Sequence, residues 1–469
     1  MNSDDFEAFA VRAARWGVDY RRTLRDRPVR PAVSPGDLIG RLPAAAPDSA
    51  EPMETIVGDF ERLIVPGMTH WQHPRFLAYF PANAAPMAVV AEIYASAIAA
   101  QCMLWQTSPA ATDLERVVVG WLRDALGLPA GFDGVLQDSA STATLAAVLT
   151  MREKALGFAG NREGLVGQPR LRVYASDQTH TSIDKAIWIS GIGQDNLVKI
   201  PGTGPNRGMD PAALDAAIRA DLEAGHRPAG VIACVGATGV GSTDDIAAVV
   251  AVAKKHALFV HVDAAWAGSA MICPEFRAWW AGIDGADSIV MNPHKWLGAP
   301  FECSAHFVRE PADLVRTLAI RPEYLKTYGK SDVVNYSEWS VPLGRRFRAL
   351  KLWFLLRAYG LDGLRRMIHD HVAWAEALAK TIAATPDFEI VTPPMLSLFT
   401  FRYSPAGAAD LDDLNMRLVN AVNDDGRTYV TQTKVDGRIA IRIQVGSFDA
   451  TRADIEDSWT AIKDVAARL

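Results

Sequence analysis

Cysteine is scarce. Only Cys102, Cys234, Cys273 and Cys303 occur in 469 residues. They are scattered, no two form a CxxC pair, and each lies in apolar surroundings, so they read as buried free thiols that fit a reducing cytoplasm. No metal site is expected. An excess of positive charge is also lacking: the net charge is −6, which removes the electrostatic reason to expect nucleic acid or an anionic membrane as a partner. The start, Met-Asn-Ser-Asp-Asp, has none of the basic residues that open a signal peptide. The most apolar stretch, Ala84 to Trp105, contains Glu92 and is Ala-rich. It reads as a buried helix or subunit interface, not a bilayer span. No GxGxxG follows the first expected strand, so a dinucleotide site has no support, and no short repeat or low-complexity tract stands out.

The composition is otherwise that of an ordinary soluble protein, 49% hydrophobic and 22% charged, and the length calls for two or three domains. Near the start, Ser3 can cap a helix with Phe6, Phe9, Ala13, Trp16 and Tyr20 on one face. Pro28, Pro31 and Pro35 then make an extended connector, and a second amphipathic helix carries Ile56, Phe60, Leu63 and Ile64. These two faces need a surface to lie on, in this subunit or a partner. The aromatic stretch His70–Pro81 reads as a structured loop.

The centre of the chain alternates strands and helices. Strands are expected at Gly134–Leu136, Arg172–Ala175, Leu197–Ile200, Val231–Val235, Phe259–Val262, Ser288–Met291 and Ser304–Val308. Helices fall between several of them, at Ser141–Leu156, Pro211–Ala224 and Asp245–Lys255. This rhythm implies an α/β fold with a mainly parallel sheet covered on both faces. A long helix from about Arg345 ends at Tyr359-Gly360 and another follows. Strands near Phe388–Val391, Leu398–Phe401 and Ile439–Val445 and a closing helix at Thr451–Leu469 make a small α+β domain.

Two strand ends carry the chemistry. Ser288–Met291 ends in the turn signal Asn292-Pro293, which places Lys295 just past the C-terminal end of a strand, where open α/β sheets bind ligands. The strand before it ends on Asp263. An amine and a carboxylate at two such tips suit pyridoxal phosphate (PLP), the lysine forming a Schiff base and the aspartate keeping the pyridine nitrogen protonated. Alone, Lys295 could be a surface lysine and Asp263 a turn cap. Their contexts, Asn292-Pro293-His294-Lys295-Trp296 and Val262-Asp263-Ala264-Ala265-Trp266, resemble the paired signatures of the PLP-dependent group II amino-acid decarboxylases, the aromatic-L-amino-acid decarboxylase family.

The resemblance covers nearly the whole chain. It implies PLP fold type I (aspartate aminotransferase-like), with an N-terminal helical dimerisation segment over 1–85, a large PLP-binding α/β domain over 86–360 and a small C-terminal α+β domain over 361–469. It implies a cytoplasmic homodimer with shared active sites that converts an aromatic L-amino acid to the amine and carbon dioxide. By the same resemblance, Ala140 and Ser141 hold the phosphate, with Asn292 and His294 as further contacts. His180 stacks on the pyridine ring, Ala265 lies under its opposite face and Thr238 is beside it. In Asp138 a carboxylate stands where the family commonly has Gly, and it is expected to point away from the phosphate. Tyr324, in a polar lid over 321–338, matches the family's proton donor and joins Lys295, His180 and Asp263 as catalytic. The substrate pocket is assigned to Tyr79, Phe80, Pro81, Ala82, Met103 and Ser397. Ala82 departs from a frequent Ser or Thr, and Met103 from a frequent aromatic. The alternatives on this scaffold are an aromatic acetaldehyde synthase, in which the lid tyrosine is replaced by Phe, and a decarboxylase of non-aromatic amino acids.

Overall fold

A computed structural model describes residues 3–320 and 333–469. Tyr324 and most of the expected lid lie outside the described residues. The chain forms two compact units. The larger comprises Ala82–Ala373 and Pro394–Phe399. The smaller comprises the N-terminal residues through Pro81, Trp374–Pro393 and Thr400–Leu469.

In chain order the helices and strands begin with α1 (Ser3–Arg22) and α2 (Met53–Asp59), which runs into a π-helical turn at Phe60–Ile64. The apolar face expected on α1 is used in part: Trp16 stacks on Tyr20 at 5.1 Å and meets the edge of Phe60 at 5.0 Å. Phe6 and Val18 stay exposed. Next come α3 (Pro86–Ile98) and α4 (Pro109–Leu126). Both start on proline, whose missing N–H costs nothing in a first turn. At 13 residues, α3 accounts for most of the apolar stretch, and no helix among the described residues is long and apolar enough to cross a membrane.

The alternating region follows as β1 (Asp133–Gln137), α5 (Ala140–Ala155), α6 (Gly160–Glu163), β2 (Leu171–Ser176), α7 (Thr181–Ile189) and β3 (Leu197–Ile200). A short hairpin, β4 (Gly202–Thr203) and β5 (Gly208–Met209), precedes α8 (Pro211–Glu223). Then come β6 (Arg227–Cys234), α9 (Ile246–Lys255), β7 (Phe259–Asp263), β8 (Ser288–Met291), β9 (Ser304–Val308), α10 (Pro311–Leu318) and α11 (Arg348–Ala383). Gly360 leaves helical dihedrals within α11 (φ 62°, ψ 164°), at the break expected from Tyr359-Gly360. The chain ends with β10 (Phe388–Met395), β11 (Leu398–Tyr403), α12 (Leu411–Asp425), β12 (Thr431–Val435), β13 (Arg438–Gln444) and α13 (Arg452–Ala466).

All seven strands expected in the centre join one seven-stranded sheet, in the order β1-β9-β8-β7-β6-β2-β3. The pairs from β8 to β3 are parallel, while β9 runs antiparallel to both β8 and β1. Every strand except β9 therefore ends on the same edge. Strands covered on both faces read as continuous apolar runs, and Val260, His261 and Val262 of β7 are at most 1% exposed. Helix α5 lies close against the sheet because Gly230 on β6 offers no side chain: a Cβ there would stand 2.6 Å from Met151 Sδ and from the Phe259 carbonyl oxygen. A polar chain also crosses this core. Thr144 Oγ1 lies 3.4 Å from His261 Nε2, His261 Nδ1 2.8 Å from Ser288 Oγ, and Ser288 Oγ 2.7 Å from His306 Nε2.

One buried ion pair fixes the approach to β1. Glu115 on α4 and Arg345 before α11 meet at 2.6 Å with side chains 2% and 1% exposed. The same carboxylate oxygen accepts the Leu136 N–H at 2.9 Å. Arg345 also donates to the carbonyls of Leu136 and Cys102 and lies over the Tyr336 ring. The added hydrogen bonds on both sides offset much of the cost of burying such a pair, although Arg345 Nε has no partner among the described residues. A second sheet of four strands, in the order β10-β11-β13-β12, follows.

Candidate active site

The shared strand edge gathers most of the residues singled out in the larger unit. Asp263 is the last residue of β7, paired in register with Cys234 on β6 and Val290 on β8. Its Oδ1 accepts the Ala265 N–H at 3.0 Å, and the Ala265 carbonyl accepts the Asn292 N–H at 2.8 Å. The turns after β7 and β8 are thereby tied together. Lys295 sits in the turn Pro293–Leu297 with φ −95° and ψ −107°, a break in the helical path. Its carbonyl accepts the side-chain amide of Asn83 at 2.9 Å.

His180 caps α7. Its Nδ1 accepts the Ser182 N–H at 3.1 Å and lies 2.9 Å from the Ser182 hydroxyl. Burial pushes its pKa down, the Asp263 carboxylate pulls it up and the Lys295 ammonium lowers it. The His180 ring thus lies within electrostatic reach of the Asp263 carboxylate and the Lys295 ammonium. Nδ1 is occupied as an acceptor, which fixes the ring's orientation and leaves Nε2 as its second polar edge.

At the end of β1, Ser139 caps α5 by accepting the Thr142 N–H at 3.3 Å. Ala140 and Ser141 are the first two helical residues, whose amides have no intrahelical acceptor. Ser141 is exposed and Ala140 half-buried. Asp138 folds back on its own loop, its Oδ1 accepting the Ser139 N–H at 2.7 Å. His294 lies in the turn after β8. Its Nδ1 accepts the Cys303 N–H at 2.9 Å, and burial, then the neighbouring Lys295, hold its pKa down to about 3. Asn292 Oδ1 accepts the Ser304 hydroxyl at 2.6 Å. Thr238 is half-buried in the turn after β6. That turn packs on the hairpin tip holding Ser397, since a Cβ at Gly241 would come 3.0 Å from Met395 Cβ.

Of the residues assigned to a substrate pocket, Ala82, Met103 and the fully buried Ser397 belong to the larger unit. Tyr79, Phe80 and Pro81 belong to the smaller. There Tyr79 takes a left-handed φ of 46° and Trp71 stacks on it at 5.6 Å, while Arg442 lies over Phe80 and donates to the Tyr79 carbonyl.

Two supports have no mark in the linear sequence. Asn83, 1% exposed, holds the backbone of Lys295 from far along the chain. Trp296 is fully buried, stacks on Trp266 at 5.1 Å and donates its indole N–H to His371 Nδ1 at 2.9 Å. His371 is neutral in this setting, since burial lowers its pKa to about 3.

A family model, the pyridoxal-dependent decarboxylase conserved domain, matches residues 35–404. The chain belongs to the pyridoxal-dependent decarboxylase family. This decarboxylase is 36% identical to a phenylacetaldehyde synthase of Arabidopsis thaliana, over 100% of this chain and 97% of that one. It is 39% identical to tyrosine decarboxylase 4 of Petroselinum crispum, over 96% and 91%. Its fold superposes on the crystal structure of Oryza sativa TDC with PLP and tryptamine with a TM-score of 0.96 at 36% identity, covering 100% of this chain and 99% of that one. The decarboxylase is therefore a PLP enzyme of fold type I, and its donor set fits that cofactor. A helix N-terminus with free first-turn amides suits a phosphate, and an amine and a carboxylate on neighbouring strand tips suit an aldehyde and a ring nitrogen.

Proposed function

We propose that this decarboxylase removes the carboxyl group of an aromatic L-amino acid and releases the amine, using the residues gathered at the strand edge. The observation that carries the residue assignment is that Asp263 ends β7 and Lys295 lies in the turn after the neighbouring β8, the two turns tied by the Asn292 N–H on the Ala265 carbonyl, with His180 in the turn after β2. The cofactor supplies an aldehyde for covalent attachment and a ring that takes up the electron pair left when carbon dioxide departs. Lys295 presents the anchoring amine. Asp263 keeps a proton on the ring nitrogen, and His180, locked by its cap, covers one ring face with Ala265 at the other and Thr238 beside it. Ala140 and Ser141 take the phosphate on their amides and hydroxyl, with Asn292 and His294 alongside. Ala82, Met103 and Ser397 shape the substrate's surroundings. Tyr324 delivers the proton that returns to Cα.

The aromatic class rests on relatives whose names are tyrosine and tryptophan decarboxylases. The phenylacetaldehyde synthases among the relatives support a second reading, in which the amine is oxidised to an aldehyde. Tyr324 favours the first, because a phenol can protonate Cα before oxygen reacts there. The experiment is Tyr324→Phe, with carbon dioxide, amine and hydrogen peroxide measured together. Aldehyde and peroxide replacing much of the amine supports Tyr324 as the donor, and an unchanged amine yield removes it. Wild-type protein that gives mainly aldehyde refutes the simple decarboxylase reading.

A homodimer in the cytoplasm, with active sites shared between subunits, is part of the same proposal. It is supported by the apolar residues that α3 leaves exposed, Ile93, Tyr94 and Ile98 at 54%, 55% and 61%, and by four buried free thiols.

A further inference from the structure

Outside the strand edge, one cluster in the larger unit brings together three side chains of metal-ligating type. Cys273, Glu275 and His369 place a sulfur, a carboxylate oxygen and an imidazole nitrogen within 4.8 Å of one another. Cys273 and Glu275 flank Pro274 where one 3-10 helix ends and the next begins, and His369 comes from α11. Glu275 already touches His369 Nε2, and Phe276 packs against the imidazole at 5.3 Å. The turn is braced from both sides. Arg277 Nε donates to the Met271 carbonyl at 2.9 Å, and Arg365, one turn before His369 on α11, donates to the Ile272 carbonyl at 2.8 Å. Backbone on the approach to Cys273 is therefore fixed, while Glu275 and His369 keep side chains 49% and 41% exposed.

We propose that Cys273, Glu275 and His369 form a binding site for a divalent cation of the zinc class, with water completing a tetrahedron. The donor chemistry selects the ion. Thiolate and imidazole favour zinc over magnesium or calcium, which want oxygen ligands. A tetrahedral zinc with bonds of about 2.0–2.3 Å holds its ligands roughly 3.3–3.5 Å apart. The pairs involving Cys273 need to close by roughly 1.5 Å at most while the Glu275–His369 contact opens, and the two half-exposed side chains have the rotamer freedom to do so. On binding, the ion displaces the Glu275–His369 contact and the thiol releases one proton to solvent. Thiolate and carboxylate together balance the dication. The cation then clips the Met271–Glu275 turn to α11, the helix whose His371 supports Trp296 beside Lys295.

The test uses the holoenzyme stripped of metal by a chelator. Zinc is titrated by calorimetry, and cobalt(II) serves as a spectroscopic probe of thiolate ligation. Expected are one zinc per chain, an affinity of about micromolar or tighter, a sulfur-to-cobalt charge-transfer band, and a zinc-dependent rise in the thermal midpoint. His369→Gln changes a half-exposed residue and should weaken binding at least about 100-fold, as should Cys273→Ser. His256→Gln, at a histidine outside the cluster, should leave binding unchanged. Zinc binding weaker than about 100 µM in the wild type, binding that survives His369→Gln, or a cobalt spectrum without a thiolate band would each overturn the proposal.

Discussion

Replacing Arg345 with Met probes the core beneath the turn from β1 into α5, where the phosphate site is proposed. The guanidinium is 1% exposed, and its removal leaves the Glu115 carboxylate, 2% exposed, with the Leu136 N–H as its remaining hydrogen bond. An uncompensated buried charge costs about 3–5 kcal/mol. The carbonyls of Leu136 and Cys102 also lose a donor, at about 1 kcal/mol each. The expected loss is therefore roughly 5–7 kcal/mol. Urea unfolding followed by far-ultraviolet circular dichroism should show a lowered midpoint. Because β1 leads directly into Ser139 and α5, cofactor absorbance should be lost at or before that midpoint. The pair Arg345→Met with Glu115→Leu removes both charges and should recover most of the loss, since an apolar replacement of a buried ion pair is often near neutral. A loss below about 1 kcal/mol in the single variant, or a double variant no better than the single, would show that this pair is not what holds the segment.

Asp263→Asn should bind PLP yet lose activity by at least about a hundredfold, about 2.7 kcal/mol of barrier; near-normal turnover would reduce Asp263 to a cap for the Ala265 amide. Asn83→Ala leaves the Lys295 carbonyl without its 2.9 Å donor and should slow turnover and weaken cofactor retention while the unfolding free energy from urea titration falls by about 1–3 kcal/mol; unchanged cofactor retention would mean the turn holds itself. Burial lowers the pKa values of His261, His294 and His371 to about 3, so between pH 6.5 and 3 the unfolded chain binds more protons. Stability is full above pH 6.5 and falls with acidification by up to about 1.4 kcal/mol per pH unit for each histidine; a urea midpoint that stays flat from pH 7 to 5 would contradict their burial as neutral rings.

The seven central strands were legible because each is a short apolar run bounded by turn residues, and Lys295 and Asp263 were legible because each terminates such a run. The C-terminal unit was harder to read. β12, Thr431–Val435, has a half-exposed, polar pattern, and α12 has a first turn rich in aspartate, so neither offers a continuous apolar signal. The sequence pattern starts α5 at Ser141, but the hydroxyl that caps it belongs to Ser139. Several consecutive small hydroxyl residues compete for that position, and only the backbone dihedrals decide among them. The supports of the site were invisible for a different reason. Asn83 reaches the Lys295 carbonyl across 212 residues, and Trp296 finds His371 across 75. No local pattern encodes such contacts. The Cys273–Glu275–His369 cluster is hidden in the same way, because its third member arrives from another helix.

The burial of the four thiols has a bearing on how long the enzyme survives its own chemistry. Carbanions formed during decarboxylation can leak to oxygen and produce peroxide inside the protein. A thiol is damaged in proportion to its thiolate character and its access to solvent. Here every cysteine is at most 3% exposed, and burial raises the pKa of each. Among the described residues, the methionines most open to solvent are Met68 and Met87, 51% and 42% exposed. Their sulfoxides are reducible by repair enzymes. Oxidative wear should thus appear first as methionine sulfoxide at these two positions, on side chains remote in sequence from Lys295, and leave the buried residues near Lys295, Trp296 and Cys303, intact.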